Sequence, residues 1–242
     1  MSDPQLRWGR AVLDRLSLDG GETVLDAGCG SGRVTEVLLD RLPRGRVIAL
    51  DASPSMLERA ANRLSDRSDR VRFLEADLLD LDPAMLGPDH PVDAVFSTAT
   101  FHWVLDHDRL FANLAAVLRP GGQLVAQCGA QGNLDGLLES ARSLGVKRAG
   151  TWMYASVPDT ESRLRAAGFP DAQVWTNPEP TPFPDRSTIA DFLETVCLRE
   201  HLATLPEEER RPLVVRVAEA MPEPVIDYVR LNIVARVVPT SS

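Results

Sequence analysis

The sequence has little cysteine, and Cys29, Cys128 and Cys197 stand too far apart for a zinc motif. An odd number of cysteines without metal-ligand spacing predicts a chain without structural disulfides or bound metal, as is typical of a reducing compartment. No run of about 18 apolar residues occurs, so we expect no membrane-spanning helix. Positions 1–10 are polar and include Pro4, unlike an apolar secretion signal. We therefore predict a cytoplasmic protein.

Basic charge is also in deficit. Lysine and arginine number 26 against 35 aspartates and glutamates, which gives a formal net charge of −9. Because a phosphate backbone requires a basic surface, this balance argues against general nucleic-acid binding and leaves small-molecule partners open. The 242 residues suit one α/β domain, and no internal repeat is present. The sequence does not decide the oligomeric state.

Short β-rich runs alternate with helical patterns over the first 130 or so residues. The strand-like runs are Thr23–Asp26, Arg46–Leu50, Val71–Glu75, Val92–Ser97 and Gln123–Cys128. Apolar residues at helical spacing follow the first two runs, over 33–42 and 54–64, and again over about 107–118. Ser53 before Pro54 is typical of a helix N-cap. This βαβα alternation predicts a parallel sheet with helices on both faces.

The later half combines helices with two unusual strands. Helical patterns cover 133–145, 158–167 and most of 187–221, with expected breaks near Pro206 and Pro212. A β-rich run begins near 172 and continues through prolines 178, 180, 182 and 184, which remove amide donors along one side and are tolerated only in an edge strand. The last run, 225–238, alternates apolar and polar residues. We predict that it inserts between the edge strand and the rest of the sheet.

A glycine-rich turn and three aspartates mark a candidate binding site. The turn Asp26-Ala27-Gly28-Cys29-Gly30-Ser31-Gly32 lies between the first strand and the first helix of the alternation. Asp51 ends the second strand, and Asp77 follows the third. In a parallel sheet these acids reach the same edge, where ligands bind. They suit the donor groups of a nucleoside and the positive charges of S-adenosylmethionine.

Two alternatives remain open. A nicotinamide-dependent oxidoreductase also binds at such a turn, but its fingerprint needs a small residue at position 33, where this sequence has arginine. A non-catalytic regulator that senses S-adenosylmethionine is the second alternative.

Five motifs in order resemble the class I S-adenosylmethionine-dependent methyltransferases. They begin at Val24, Ile48, Glu75, Val92 and Leu118, and the last is Leu118-Arg119-Pro120-Gly121-Gly122. The resemblance implies a Rossmann-like α/β fold of seven strands, the last antiparallel, in a single domain over 1–242. Its cofactor-binding core would cover about 20–130, and a helical cap would come from 1–20, 133–157 and 187–221. The implied cofactor-binding residues are Asp26, Gly28, Cys29, Gly30, Gly32, Asp51, Ala52, Ser53, Met56, Asp77, Leu78 and Ser97.

The segment from Thr98 to His107 looks like the subgroup that contains trans-aconitate methyltransferases and related carboxyl methylators. The resemblance implies methyl transfer to a small-molecule acceptor, with a carboxylate as the leading candidate. Related enzymes often carry more residues ahead of Arg7-Trp8, commonly as part of a substrate lid.

His102 is the candidate general base for an acceptor that needs one, because the ordinary histidine pKa lies near neutrality. An equally weighted interpretation is a histidine that shapes this loop through a backbone carbonyl. Trp103, Trp152 and Tyr154 are candidate acceptor-binding residues. Arg7, Arg148 and Arg199 are candidate anchors for an acidic acceptor.

Overall fold

The computed structural model describes residues 4–146 and 151–238, and the predicted α/β sheet is present. The strands are β1 (Thr23–Ala27), β2 (Arg46–Asp51), β3 (Val71–Glu75), β4 (Val92–Thr98), β5 (Leu118–Gly129), β6 (Gln173–Pro182) and β7 (Val225–Arg236). The helices are α1 (Pro4–Leu13), α2 (Arg33–Asp40), α3 (Pro54–Arg63), α4 (Pro83–Leu86), α5 (His107–Val117), α6 (Asp135–Ser143), α7 (Val157–Ala166), α8 (Arg186–Phe192), α9 (Arg199–Leu202) and α10 (Glu207–Ala220). Within the described ranges, no helix combines the length and apolar character needed to cross a bilayer.

The strand order is β3-β2-β1-β4-β5-β7-β6. Parallel pairing joins β1 to β2 and β4, β2 to β3, and β4 to β5. The N–H of Val237 donates to the Gly122 carbonyl (3.0 Å), and the N–H of Ala130 donates to the Val229 carbonyl (2.9 Å). Residue numbers rise along β5 as they fall along β7, so β7 is antiparallel to β5. The proline-rich strand β6 is the edge, and the predicted insertion of β7 beside it is confirmed.

The central strands are covered on both faces, which explains their apolar sequences. In β1 the residues Val24 to Ala27 are all buried, and in β2 the residues Val47 to Leu50 are buried. Turn glycines and parallel pairing then bring the carboxyl ends of β1, β2 and β3 to one edge of the sheet. This edge carries the glycine-rich turn and the candidate acids.

The chain forms two compact units. Unit 1 comprises 1–128, 155–175 and 231–242, and unit 2 comprises 129–154 and 176–230. The predicted cap segments 133–157 and 187–221 fall almost entirely in unit 2. Helix α1 instead belongs to unit 1, where Val12 and Leu13 share a hydrophobic core with Leu38 of α2. The division into a cofactor-binding core and a helical cap remains a prediction.

One local prediction is wrong, and another is confirmed in its position but not in its hydrogen bond. Pro212 does not break the helical region, because it lies inside α10, near its N-terminal end. Pro212 is the sixth residue of α10, so the helix lacks the hydrogen bond that an amide at this position would donate to the Glu208 carbonyl, and it continues in spite of that loss. Ser53 occupies the N-cap position of α3, but its side chain makes no capping hydrogen bond and its hydroxyl instead lies 3.1 Å from the hydroxyl of Ser55.

Candidate active site

The glycine-rich turn is tied to the end of β2 by its own amides. The N–H groups of Gly28 and Cys29 donate to the Leu50 carbonyl (2.8 and 2.9 Å), and the N–H of Gly30 donates to Oδ2 of Asp51 (2.8 Å). A dinucleotide site of the Rossmann type presents such amides to a pyrophosphate. Here three of them are already engaged within the protein, so the turn is poorly suited to an anionic cofactor.

Gly28 and Gly30 of this turn are required for different reasons. Gly28 has a φ of +87°, and a Cβ built there would lie 2.7 Å from Cβ of Thr100. Gly30 has a φ of +53°, and a Cβ built there meets nothing within 4 Å. Gly28 is therefore needed for internal packing, whereas Gly30 faces open space where a ligand can approach bare backbone.

Asp51 holds the turn and the start of α3 together. Its Oδ2 accepts the Gly30 N–H, and its Oδ1 accepts the N–H of Ser53 at 2.9 Å. The residue is only half-buried. An ionised carboxylate offers about four acceptor positions, so two further donors can still bind to Asp51.

Asp26 is buried below the turn rather than presented at the rim. Its side chain is 2% exposed, and its Oδ2 accepts a hydrogen bond from the Thr35 hydroxyl at 2.7 Å. Burial raises the pKa of Asp26 to about 7, the Thr35 hydrogen bond opposes this shift, and the Asp51 charge adds to it. Of the three acids predicted to form an acidic rim, this one supports the turn from within.

The third acid and its neighbours lie beyond β3. Asp77 is exposed, and its Oδ1 accepts the N–H of Leu79 at 2.8 Å. Leu78 is buried at 5% exposure. On α3 and the turn before it, Met56 is half-buried and Ala52 is exposed. Asp77 therefore remains accessible to polar groups of a ligand, while Leu78 contributes apolar surface below them.

Two further candidates are buried. Cys29 is 8% exposed, and burial, followed by the charges of Asp26 and Asp51, raises the pKa of its thiol. It is therefore not an activated nucleophile. Ser97 is 1% exposed, and its hydroxyl donates to the Ala27 carbonyl at 2.6 Å. This hydroxyl links β4 to β1 beneath the turn.

The loop after β4 is held by residues that the sequence analysis did not single out. Ala99 has a φ of +56°, a rare conformation for a residue with a side chain, and it brings Thr100 over the Gly28 backbone. Phe101 is 1% exposed and packs edge-on against Phe111 at 6.1 Å between ring centroids. Nε2 of the buried His107 donates to the Phe101 carbonyl at 2.9 Å, given the tautomer protonated there.

His107 therefore shapes this loop through a backbone carbonyl, and for His102 the loop-shaping role and the role of general base both remain predictions. Burial lowers the pKa of His107, which favours the neutral ring. His102 and Trp103 lie on the short helical turn 101–103, with ring centroids 5.2 Å apart. His102 is half-buried and Trp103 is 48% exposed, so the loop presents both rings away from the core.

Three of the remaining candidates, Trp152, Tyr154 and Arg199, lie in unit 2. The rings of Trp152 and Tyr154 are stacked, with centroids 5.8 Å apart and an interplanar angle of 17°. Arg199 is exposed on α9, and Arg7 is exposed on α1 of unit 1. Arg148 lies outside the described residues. Neither exposed arginine has the burial expected of a specific anchor for a carboxylate.

Comparison with known proteins decides the family. Residues 24–122 match the model of a methyltransferase domain. Trans-aconitate 2-methyltransferase of Azoarcus sp. (strain BH72) is 30% identical over an alignment of 221 residues that covers 86% of this chain and 81% of that protein. The chain belongs to the S-adenosylmethionine-dependent methyltransferases.

Solved structures show the same fold in other methyltransferases and their relatives. YcgJ from Bacillus subtilis superposes with a TM-score of 0.69 at 16% identity, covering 97% of this chain and 99% of that one. Phosphoethanolamine N-methyltransferase 2 of Haemonchus contortus, bound to S-adenosylhomocysteine, gives a TM-score of 0.64 at 22% identity, covering 97% of this chain and 53% of that one. The family assignment decides against the nicotinamide-dependent oxidoreductase and against a non-catalytic regulator.

The cofactor of this methyltransferase is S-adenosylmethionine, and the rim of the sheet fits it. Gly30 leaves open space above bare backbone, and the carboxylate of Asp51 keeps acceptor positions for hydroxyl donors. The turn amides are already engaged, which suits a cofactor with a positive charge near the turn better than a phosphate. The donor set of the site therefore agrees with a sulfonium nucleoside.

Proposed function

We propose that this methyltransferase transfers a methyl group to a carboxylate oxygen of a small polycarboxylic acid, giving a methyl ester. The observation that carries the proposal is the extent of the match to trans-aconitate 2-methyltransferase. The aligned region covers 86% of this chain, whereas the methyltransferase-domain match ends at residue 122. The similarity therefore extends beyond the cofactor-binding core into the later half of the chain, which holds the proposed cap segments.

The residues at the rim would share the work of holding the cofactor. Gly30 would provide close backbone approach, Asp51 would bind the ribose hydroxyls, and Asp77 with Leu78 would border the adenine. Ala52, Ser53 and Met56 would line the nucleoside side. Asp26, Cys29 and Ser97, all buried, would act by fixing the turn and the strands beneath it. When bound, S-adenosylmethionine supplies an electrophilic methyl carbon.

The protein's chemical task with a carboxylate acceptor is mainly positioning. The ordinary pKa of a carboxyl group is about 4, so the acceptor is already a nucleophile near neutral pH and needs no general base. Holding it in line with the methyl carbon is an entropic contribution of up to about 7–11 kcal/mol in favourable intramolecular models. In this proposal, His102 and Trp103 border the acceptor without taking a proton from it.

Initial-rate methyl transfer to a matched acceptor panel tests the proposal. The panel contains trans-aconitate, its saturated tricarboxylic analogue, its trimethyl ester, a phenol and a primary amine, and mass spectrometry identifies the product. We expect monomethyl ester from the acids and no product from the trimethyl ester. Turnover of the phenol or the amine with none of the acids would refute the carboxylate assignment while leaving the family intact.

The cap segments 133–157 and 187–221 are proposed to select the acceptor. Two single variants, Trp152→Ala and Tyr154→Ala, replace the aromatic candidates in unit 2. Each should raise the KM for trans-aconitate and leave the Kd for S-adenosylhomocysteine unchanged. Unchanged KM values in both variants would contradict this role.

A further inference from the structure

The loop after β4 begins with a strained residue. Ala99 has a φ of +56°, in the left-handed region where a side chain collides with its own backbone. Its N–H donates to the carbonyl of Gln127 on β5 at 2.8 Å, so the neighbouring strand holds this conformation in place. Strained backbone persists where the surrounding structure imposes it, and it is concentrated at functional sites. The conformation of Ala99 therefore calls for a reason, and the next residue supplies one.

Thr100 packs directly on the main chain of the glycine-rich turn. A Cβ built at Gly28 would overlap the Cβ, Oγ1 and Cγ2 atoms of Thr100. The Thr100 hydroxyl can also donate to the Gly28 carbonyl at 3.2 Å or to the Thr98 carbonyl at 3.0 Å. On its other side, Gly28 is fixed by its N–H, which donates to the Leu50 carbonyl of β2 at 2.8 Å. Gly28 is thus held between β2 and the loop after β4, and Thr100 is the residue that reaches it from the loop.

The same residue starts the short helical turn that carries two of the candidate residues. The carbonyl of Thr100 accepts the N–H of Trp103 at 2.9 Å, which closes the turn 101–103. Phe101 anchors this turn in the core, whereas His102 is half-buried and Trp103 is exposed. The side chain of Thr100 therefore contacts the glycine-rich turn, while its carbonyl holds the helical turn that presents the two rings.

We propose that Thr100 is a positioning residue that sets the turn 101–103 against the glycine-rich turn, so that the acceptor binds more tightly once S-adenosylmethionine occupies the glycine-rich turn. Thr100 acts through these two segments and not on the reacting atoms. A cofactor that lies over Gly30 restrains the glycine-rich turn, and the contact between Thr100 and Gly28 passes this restraint to the loop. Such coupling is reciprocal, so the acceptor strengthens cofactor binding by the same factor. The inference rests on the proposed acceptor role of this loop.

Substitutions at Thr100 separate the packing of its methyl group from the hydrogen bond of its hydroxyl. Thr100→Val keeps the shape of the side chain and removes the hydroxyl, Thr100→Ser keeps the hydroxyl and removes the methyl group, and Thr100→Ala removes both. Thr160→Val is the matched control. Thr160 is buried in unit 1, and its hydroxyl donates to the Ser156 carbonyl at 2.8 Å at the start of α7. The control therefore removes an equivalent hydrogen bond from an element that is part of neither the glycine-rich turn nor the loop after β4.

Residue-resolved hydrogen exchange of the full-length protein provides a test that needs no acceptor. The reporter is the amide of Trp103, because its hydrogen bond to the Thr100 carbonyl must open before it exchanges. The amide of Thr204, which donates to the His201 carbonyl in unit 2, is the reference for general stabilisation by a ligand. Relative to this reference, saturating S-adenosylhomocysteine should slow the Trp103 amide at least about tenfold in the parent and in Thr160→Val, and less than about threefold in Thr100→Ala.

A purely structural role of Thr100 gives a different result in the same experiment. Loss of packing alone would speed exchange of the Trp103 amide with and without S-adenosylhomocysteine alike, and the ratio of the two rates would stay at the parent value. That outcome, or a parent in which the ligand does not slow this amide, would overturn the inference.

Calorimetry measures the same coupling from the acceptor side, as the ratio of the Kd values for trans-aconitate without and with S-adenosylhomocysteine. We expect a ratio of at least about ten in the parent and in Thr160→Val. It should fall below about three in Thr100→Ala, with Thr100→Val and Thr100→Ser in between, because each keeps one of the two contacts with Gly28.

The outcomes separate this inference from the proposed function. If the parent methylates trans-aconitate and the Thr100 variants keep both ratios, Thr100 is not the positioning residue and the proposed function stands. If S-adenosylhomocysteine slows the Trp103 amide through Thr100 but the protein neither binds nor methylates the acids, the positioning role stands and the proposed acceptor is wrong. Should Thr100→Ala fail to fold, Thr100→Val and Thr100→Ser decide, since parent ratios in both would overturn the inference.

Discussion

The glycine turn of unit 1 and the hydrophobic core of unit 2, against which the candidate residues Trp152 and Tyr154 pack, are built in different ways. The turn depends on backbone: positive φ angles, a missing Cβ at Gly30, and amides tied to Leu50 and Asp51. The core of unit 2 depends on side chains that meet from distant parts of the chain. Backbone requirements leave a contiguous sequence motif, whereas side chains brought together by folding do not. The two regions should therefore respond differently to substitution. Changes in the turn should weaken cofactor binding, and changes in unit 2 should raise the KM for the acceptor.

Substitution of the turn glycines should give the largest effects and should separate packing from binding. Gly28→Ala places a methyl group against Thr100 at a positive φ, and we expect it to lower the free energy of unfolding by about 3 kcal/mol. Gly30→Ala meets no atom of the protein and should cost only about 1 kcal/mol, while weakening S-adenosylhomocysteine binding at least tenfold. Urea denaturation and calorimetry measure the two quantities. Normal cofactor affinity in Gly30→Ala would show that the cofactor does not lie over this residue.

Removal of the negative charge of Asp51 should have the second-largest effect. Asp51→Asn keeps one acceptor oxygen for two backbone donors and removes the charge-assisted bonds, so we expect the Kd for S-adenosylhomocysteine to rise roughly 10- to 100-fold. The matched control is Asp82→Asn, because Asp82 also accepts a backbone N–H, from Ala84 at 2.7 Å, at the start of α4. Equal effects of the two variants on cofactor binding would mean that Asp51 has no direct role.

Protonation of Asp26 should make the stability of the protein depend on pH. The folded-state pKa of about 7 lies above the unfolded value near 4, so the folded protein binds the proton more tightly. This stabilisation is complete below the unfolded pKa and is lost as the pH rises through the folded one. From about pH 5 to pH 7, the free energy of unfolding should fall by about 2 kcal/mol through this group.

Asp26→Asn should remove that slope, measured by urea denaturation at a series of pH values. Asp185→Asn is the control: hydrogen bonds from the Thr188 N–H and hydroxyl lower the pKa of Asp185, so its contribution is lost at acidic pH instead. A slope between pH 5 and pH 7 that survives in Asp26→Asn would contradict the raised pKa.

The sequence predicted the sheet well because each of its determinants is local. Apolar runs, turn glycines and the prolines of β6 lie in contiguous segments, and the position of β7 beside the β6 edge was predicted from them. It did not predict that Asp26 is buried, because an aspartate at a strand end looks the same whether or not a hydroxyl such as that of Thr35 lies over it. The burial of Arg230 was missed for a similar reason. It sits in a strand whose alternating pattern gave no sign that this arginine is buried, and the arginines that were considered lie elsewhere.

The two histidines of the loop after β4 provide the smallest and most selective test. His102→Gln removes a candidate base that a carboxylate acceptor does not need, so kcat should change by less than about threefold, with no new dependence on pH between about 6 and 8. His107→Gln removes the ring whose Nε2 donates to the Phe101 carbonyl, and it should lower the stability of the protein by about 1 kcal/mol. Rates at saturating trans-aconitate and urea denaturation measure both effects. A large loss of kcat in His102→Gln, with the stability unchanged, would restore His102 as a general base and point to an acceptor that must lose a proton.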